Sequence, residues 1–383
     1  MASTTKTKRV EYFDGLKLIM CYMIAALHFS LAFFPDGFLG YGSLYKEAEK
    51  IPAYLANLPA SIFTNSTFYL YIFFALSAMI PTMAFYNGLA SGKDPYKMLE
   101  KQAVKRYFRF VIPVVAINII TWGMHKWGML SFKGMFEITG APWLLAIETP
   151  EKPFWWVLRY SFVDCFFENT TALLTVLWCM YMIFLGYMLT LAFLALFGKS
   201  KLRFYIYAVS PFLFMLYPTY SSFFVGIVVG DLYVHCKAKL AEMTWMAWPL
   251  LIVGVAIGIV SNLGLALPDL LSPNYLNGIS AGVCLLAVVL GTGMQKFLSW
   301  QPFVANAKYS FSVLLVHIHV MLIVASAIYP LCFSMLGAKV PAFWLTFLIC
   351  IPIIHGCAII FYRVFEQPSE NLCNWVYEKL QEK

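Results

Sequence analysis

Ten apolar stretches, each about as long as a helix needs to cross a bilayer, follow one another along this chain at 16–35, 62–86, 107–125, 172–197, 203–217, 220–236, 246–267, 276–293, 309–331 and 341–365. Runs of that length read as helices, because a helix satisfies its own backbone hydrogen bonds where no water is present to do so. The expected fold is therefore all-α, a polytopic transmembrane helical bundle of about ten spans. Composition agrees: 61% of the residues are hydrophobic and only 12% charged, against roughly a quarter charged in soluble domains. No repeat, low-complexity run or appended soluble domain interrupts the series, so residues 1–383 read as one membrane domain.

The basic residues set the expected orientation. Lys6, Lys8, Arg9, Lys93, Lys97, Lys101, Lys105, Arg106, Arg109, Lys199, Lys201 and Arg203 fall on one side of the spans, and the positive-inside rule makes that side cytoplasmic. An even number of spans then places both termini in the cytoplasm. Orientation signals and anionic headgroups account for the net charge of +8, so membrane lipids are expected partners and nucleic acid is not. The nine cysteines are scattered, without a CxxC pair, and indicate neither a disulfide framework nor a metal site. The first apolar segment is long and lacks a small-residue cleavage pattern, so it reads as a retained span. Two long external loops are expected, 35–61 and 126–171, the second rich in Trp and Pro and suited to the membrane interface.

Polar groups inside spans are costly and are candidate functional residues. His28 lies in the otherwise apolar first span, roughly 18 Å along the helix from Leu16, which puts a proton acceptor near the middle of the bilayer. It suits a general base and equally a helix-packing hydrogen bond. Asp14 shares its helical face but lies roughly 21 Å away along the axis, so the two cannot form a direct pair. Asp14 is instead expected at the cytoplasmic mouth, capping the helix or pairing with a basic residue of a neighbouring span. Arg106 and Arg109 lie three residues apart on one face of the third span. They can clamp phosphate or serve as an orientation signal. His317 and His319 turn about 160° apart, so at most one of them can face His28. No acid lies deep in a span, and proton-coupled transporters generally need one.

Taken in order, these segments resemble the acyltransferase 3 family of integral membrane acyltransferases. Tyr12-Phe13-Asp14-Gly15-Leu16-Lys17 followed by His28 is similar to its opening motif, with Lys17 in place of Arg. Phe73-Phe74-Ala75-Leu76-Ser77-Ala78 resembles its second-span segment, and Arg106, Arg109 and Pro113 its basic pair. Gly226 with Gly230-Asp231, then Lys308-Tyr309-Ser310-Phe311-Ser312 with His317, and finally Glu366-Gln367-Pro368 continue the match. Ile183 stands where the family often has Glu.

The resemblance implies a membrane enzyme of the cell membrane that transfers an acyl group, acetyl in the first instance, from cytoplasmic acyl-CoA to a hydroxyl of a carbohydrate or other envelope molecule. His28 would be general base or covalent acyl relay. Arg106 and Arg109 would hold the phosphates of acyl-CoA, while Asp14, Lys17 and Glu366 organise the mouth and Ser77, Tyr309, Ser310 and His317 line the path. Acyl-CoA is then a co-substrate, and neither a tightly bound cofactor nor a metal is expected. The rival is a transporter or permease exporting a glycan or lipid intermediate, with His28 on its path.

Overall fold

The computed structural model describes residues 10–34, 65–130, 132–141, 152–168, 173–261 and 271–381, together with Leu144, Thr170 and Pro268. The expected loop 35–61 lies outside them. Every element in the described residues is helical. The helices are α1 (Glu11–Phe33), α2 (Ser66–Ala90), α3 (Pro95–Lys126), α4 (Phe132–Thr139) and α5 (Phe154–Arg159), then α6 (Trp178–Phe197), α7 (Leu202–Leu216), α8 (Ser221–His235), α9 (Lys237–Glu242) and α10 (Ala247–Ser261). After these come α11 (Pro273–Leu290), α12 (Thr292–Leu298), α13 (Gln301–Asn306), α14 (Ser310–Val320), α15 (Ser326–Leu336), α16 (Lys339–Phe361) and α17 (Gln367–Gln381).

Among the described residues, eight helical runs are long and apolar enough to cross a membrane. Each of the ten apolar stretches holds a helix, but α7 and α8 have only 15 residues each, about 22 Å at 1.5 Å per residue. The eight are continuous helical runs of at least 18 residues; α10 also has 15 residues and reaches that length only with the helical turn Thr244–Met246 before it. Tyr217 separates α7 from α8, and Pro218 opens the short turn that leads into α8.

Local chemistry sets the helix ends. Asp94 caps the amide of Tyr96 at 2.9 Å, with Pro95 at the first helical position, where its missing N–H costs nothing. Asn65 caps Phe68 at 3.0 Å, and Ser272 caps Tyr275 at 3.3 Å ahead of Pro273. Where helices touch, small residues set the approach. A side chain on Gly226 of α8 would meet the carbonyl oxygen of Ala75 at 2.1 Å, and one on Gly15 of α1 would meet that of Leu298 at 1.9 Å.

Among the described residues, three π-helical turns occur: Tyr160–Asp164 after α5, Met321–Ala325 after α14, and Tyr362–Glu366 after α16. Each adds a residue to a helical turn and so re-aims the side chains beside it. They border the buried polar residues described next.

Candidate functional site

His28 of α1 and His317 of α14 meet inside the bundle. Nδ1 of His28 lies 2.9 Å from the carbonyl oxygen of Ile24, and Nδ1 of His317 lies 3.1 Å from that of Val313. A carbonyl can only accept, so each Nδ1 carries a proton. In the neutral pair Nε2 of His317 is then a lone-pair nitrogen, and it lies 3.1 Å from Nδ1 of His28. His28 Nδ1–H is therefore shared between Ile24 and His317, which leaves Nε2 of His28 as its basic atom. His317 is fully buried, whereas His28, though enclosed by the bundle, keeps accessible surface.

Along α1, His28 is about 26 Å from Glu11 and about 8 Å from Phe33. It is nearer the far end of the helix than its middle, because α1 begins five residues before Leu16, where a polar first turn precedes the apolar run. Asp14 does not cap this helix. The N-cap residue is Val10, and Asp14 pairs with Lys17 on its own helix at 3.4 Å.

The two arginines of α3 have different surroundings. The Arg106 guanidinium makes cation–π contacts with the rings of Phe110 at 4.3 Å and of Tyr187 of α6 at 3.8 Å. Its Nε is buried with no hydrogen-bond partner. Arg109 is half-exposed and forms a 2.9 Å ion pair with Glu370 of α17. α17 runs along the basic end of α3: the Ser369 hydroxyl donates to the Phe108 carbonyl at 2.8 Å, Asn374 accepts from Lys105, and Lys101 and Lys105 lie over the Tyr377 ring.

Glu366 is buried at the end of the third π turn and accepts from the Ser312 hydroxyl of α14 at 2.7 Å. Tyr309 packs edge-on to His355 and Tyr362, and the Ser310 hydroxyl donates to its local Ala307 carbonyl at 2.7 Å. Both sit at the start of α14, about 10 Å along the axis from His317. The Ser77 hydroxyl donates to Phe73 within α2 at 2.9 Å. Ile183 is buried in the apolar core, so the position where the family often has Glu carries no charge here. Among the described residues no three His, Cys, Asp or Glu side chains are grouped as a metal ion would need.

Several contacts were not legible in the sequence. His317 is the direct partner of His28, and it is 289 residues away in the chain. Phe110 and Tyr187 as the walls around Arg106, and Ser312 as the partner of Glu366, come from packing between distant helices. The only local sign was the proximity of Ser312 and His317 on one short helix.

The acyltransferase domain of the acyltransferase 3 family matches residues 10–363. No curated protein and no solved structure matches the chain.

Proposed function

We infer, from a chain that belongs to the acyltransferase 3 family and carries eight long apolar helices, that this integral membrane acyltransferase moves an acyl group, acetyl in the first instance, from acyl-CoA to a hydroxyl of a carbohydrate or other envelope molecule. The observation that carries the reading is the His28–His317 pair, whose hydrogen bonds leave Nε2 of His28 as the basic nitrogen.

In this mechanism the acceptor hydroxyl donates to Nε2 of His28. As its oxygen bonds to the thioester carbonyl carbon, the proton passes to Nε2 and the ring becomes imidazolium. Nδ1–H of that imidazolium then donates more strongly to the neutral His317 Nε2, which stabilises the charge and holds the ring in place. Collapse of the tetrahedral intermediate breaks the C–S bond, and Nε2 returns the proton to the departing thiolate. The products are the ester and free CoA.

Arg106 and Arg109 lie at the basic end, which we assign to the cytoplasm of a cell-membrane protein. Arg109 is about 18 Å along α3 from Thr121, which touches His319 of α14, two residues beyond His317. An extended pantetheine arm covers such a distance, so phosphates held by the arginines place the thioester at the level of the histidines. The Arg106 guanidinium, held against the Phe110 and Tyr187 rings, has the fork of N–H donors that suits bidentate phosphate recognition.

The test is thioester consumption by the protein in lipid, wild type against His28→Ala, with candidate glycan acceptors added in turn. Consumption that depends on His28 is the expected result. A His28→Ala protein that is inserted and fully active would overturn the mechanism, and substrate movement without acyl-CoA consumption would favour a transporter.

A further inference from the structure

The basic end of α3 carries Lys101, Lys105, Arg106 and Arg109. Lys101, Lys105 and Arg109 recur every fourth residue and so form one stripe along the helix, and α17 meets all of that stripe. Tyr377 receives Lys101 and Lys105 over its ring, Asn374 accepts from Lys105, and Glu370 pairs with Arg109. Arg106 stands off the stripe and meets α6 instead. Its guanidinium carbon lies 3.8 Å from the Tyr187 ring centroid and 4.3 Å from that of Phe110. Its Nε is buried without a hydrogen-bond partner, and among the described residues no carboxylate forms an ion pair with it. Aromatic faces offset part of the hydration that a sheltered cation loses, but they supply no oxygen for its N–H donors.

Tyr187 is itself anchored. Its hydroxyl donates to Oε1 of Gln102 at 2.7 Å, and Gln102 lies one turn before Arg106 on α3. A single side chain from α6 therefore bridges successive turns of α3, its hydroxyl on Gln102 and its ring under the Arg106 guanidinium. A phenol is rigid, so a bond at the hydroxyl end fixes the ring as well. Tyr187 also belongs to a small buried cluster with Leu99, Leu191 and Leu194, and close packing of that kind limits its rotamers.

We propose that Tyr187, anchored by Gln102, is a positioning residue that presents the Arg106 guanidinium to a phosphate of acyl-CoA. This rests on the acyl-CoA reading above and adds to the arginine pair two residues that touch no substrate themselves. A guanidinium fork bonds phosphate oxygens through parallel N–H groups, which requires a set orientation. Removing the ring or its anchor leaves the charge in place and takes the orientation away.

The test is titration of acetyl-CoA against the full chain in lipid nanodiscs. The proteins are the wild type, Tyr187→Phe, Tyr187→Leu, Arg106→Ala, and each Tyr187 variant combined with Arg106→Ala. Tyr187→Leu removes both contacts and is expected to weaken binding roughly 10-fold, the size of one charge-assisted contact. Tyr187→Phe keeps the ring and loses the Gln102 bond, so its loss is smaller, and it carries the test if the leucine variant does not fold. In the Arg106→Ala background neither change has a further effect, because a residue that acts through Arg106 then has nothing to position. Equal losses with and without Arg106 mark a packing role for Tyr187 and overturn the proposal, as does wild-type affinity in both single Tyr187 variants. In those two outcomes the wild type still binds acetyl-CoA and the acyl-CoA reading stands. A wild type that binds no acetyl-CoA overturns that reading and the proposal together.

Discussion

Nε2 of His317 lies 3.1 Å from Nδ1 of His28, and the backbone carbonyls of Ile24 and Val313 dictate which atom of each ring carries the proton. The direction of the hydrogen bond follows from that, and with it the identity of the basic atom. His317 therefore orients His28 and stabilises its charged form. A fully buried neutral acceptor can do this without placing a carboxylate in the span.

Replacing His28 by Ala is expected to lower turnover by about 10²–10⁴-fold, the usual contribution of a positioned general base. His317→Leu should also slow turnover, by a smaller factor, while the KM for acyl-CoA stays unchanged. Steady-state kinetics with the acyl donor varied separates the two effects; a His317→Leu enzyme altered only in KM would remove His317 from the proton-handling role.

Arg106→Ala is expected to weaken acyl-CoA binding by roughly 10- to 100-fold, as loss of a charge-assisted contact does. Glu370→Gln should have the opposite sign, because Glu370 competes for Arg109 across a 2.9 Å ion pair. Titration of acyl-CoA against the protein in lipid checks both. Equal affinities in all three proteins would return the arginines to the role of orientation signals.

Ser312→Ala removes the hydrogen bond that the buried Glu366 carboxyl receives at 2.7 Å. Leaving that group short of a partner should cost about 1–3 kcal/mol. The effect is read as a lower unfolding temperature in detergent.

At the basic end, Asp231 of α8 is buried and accepts from Arg203 at 2.8 Å and from the Tyr207 hydroxyl at 2.9 Å, with His235 also in contact. Arg203→Ala leaves that acid without its guanidinium. The expected loss is roughly 3 kcal/mol, at the low end for a broken buried pair because Tyr207 and His235 remain. Arg203→Leu with Asp231→Leu should recover most of the stability, and a double-mutant cycle measures the coupling.

Gly226→Leu should disrupt the α2–α8 contact, since even a Cβ at that position would lie 2.1 Å from the Ala75 carbonyl oxygen. Rigid backbone cannot yield as a side-chain tip can, so the cost should reach at least the 1–3 kcal/mol of core overpacking. Reduced yield of folded protein from membranes is the measurement.

What the sequence alone determined is what depends on local or one-dimensional properties. Ten apolar runs, punctuated by Asp94-Pro95, Ser272-Pro273 and the basic clusters, specify helices and their ends, because burying backbone in lipid leaves few alternatives. Likewise, His28 stood out because a polar side chain is conspicuous in an apolar run. The length of α7 and α8 was less legible, since hydropathy does not show where a helix stops.

Only the tertiary structure decided which polar groups meet. His28 finds His317, Glu366 finds Ser312, Arg109 finds Glu370, and Thr121 finds His319, with partners 54 to 289 residues apart. No periodicity encodes such pairings, because each depends on how two distant helices rotate and slide against one another. Small residues such as Gly15 and Gly226 set the closeness of that packing, and the π turns set its angular phase. The proton on each histidine is decided at this level too, by a carbonyl one turn back and by the group that happens to lie across the seam.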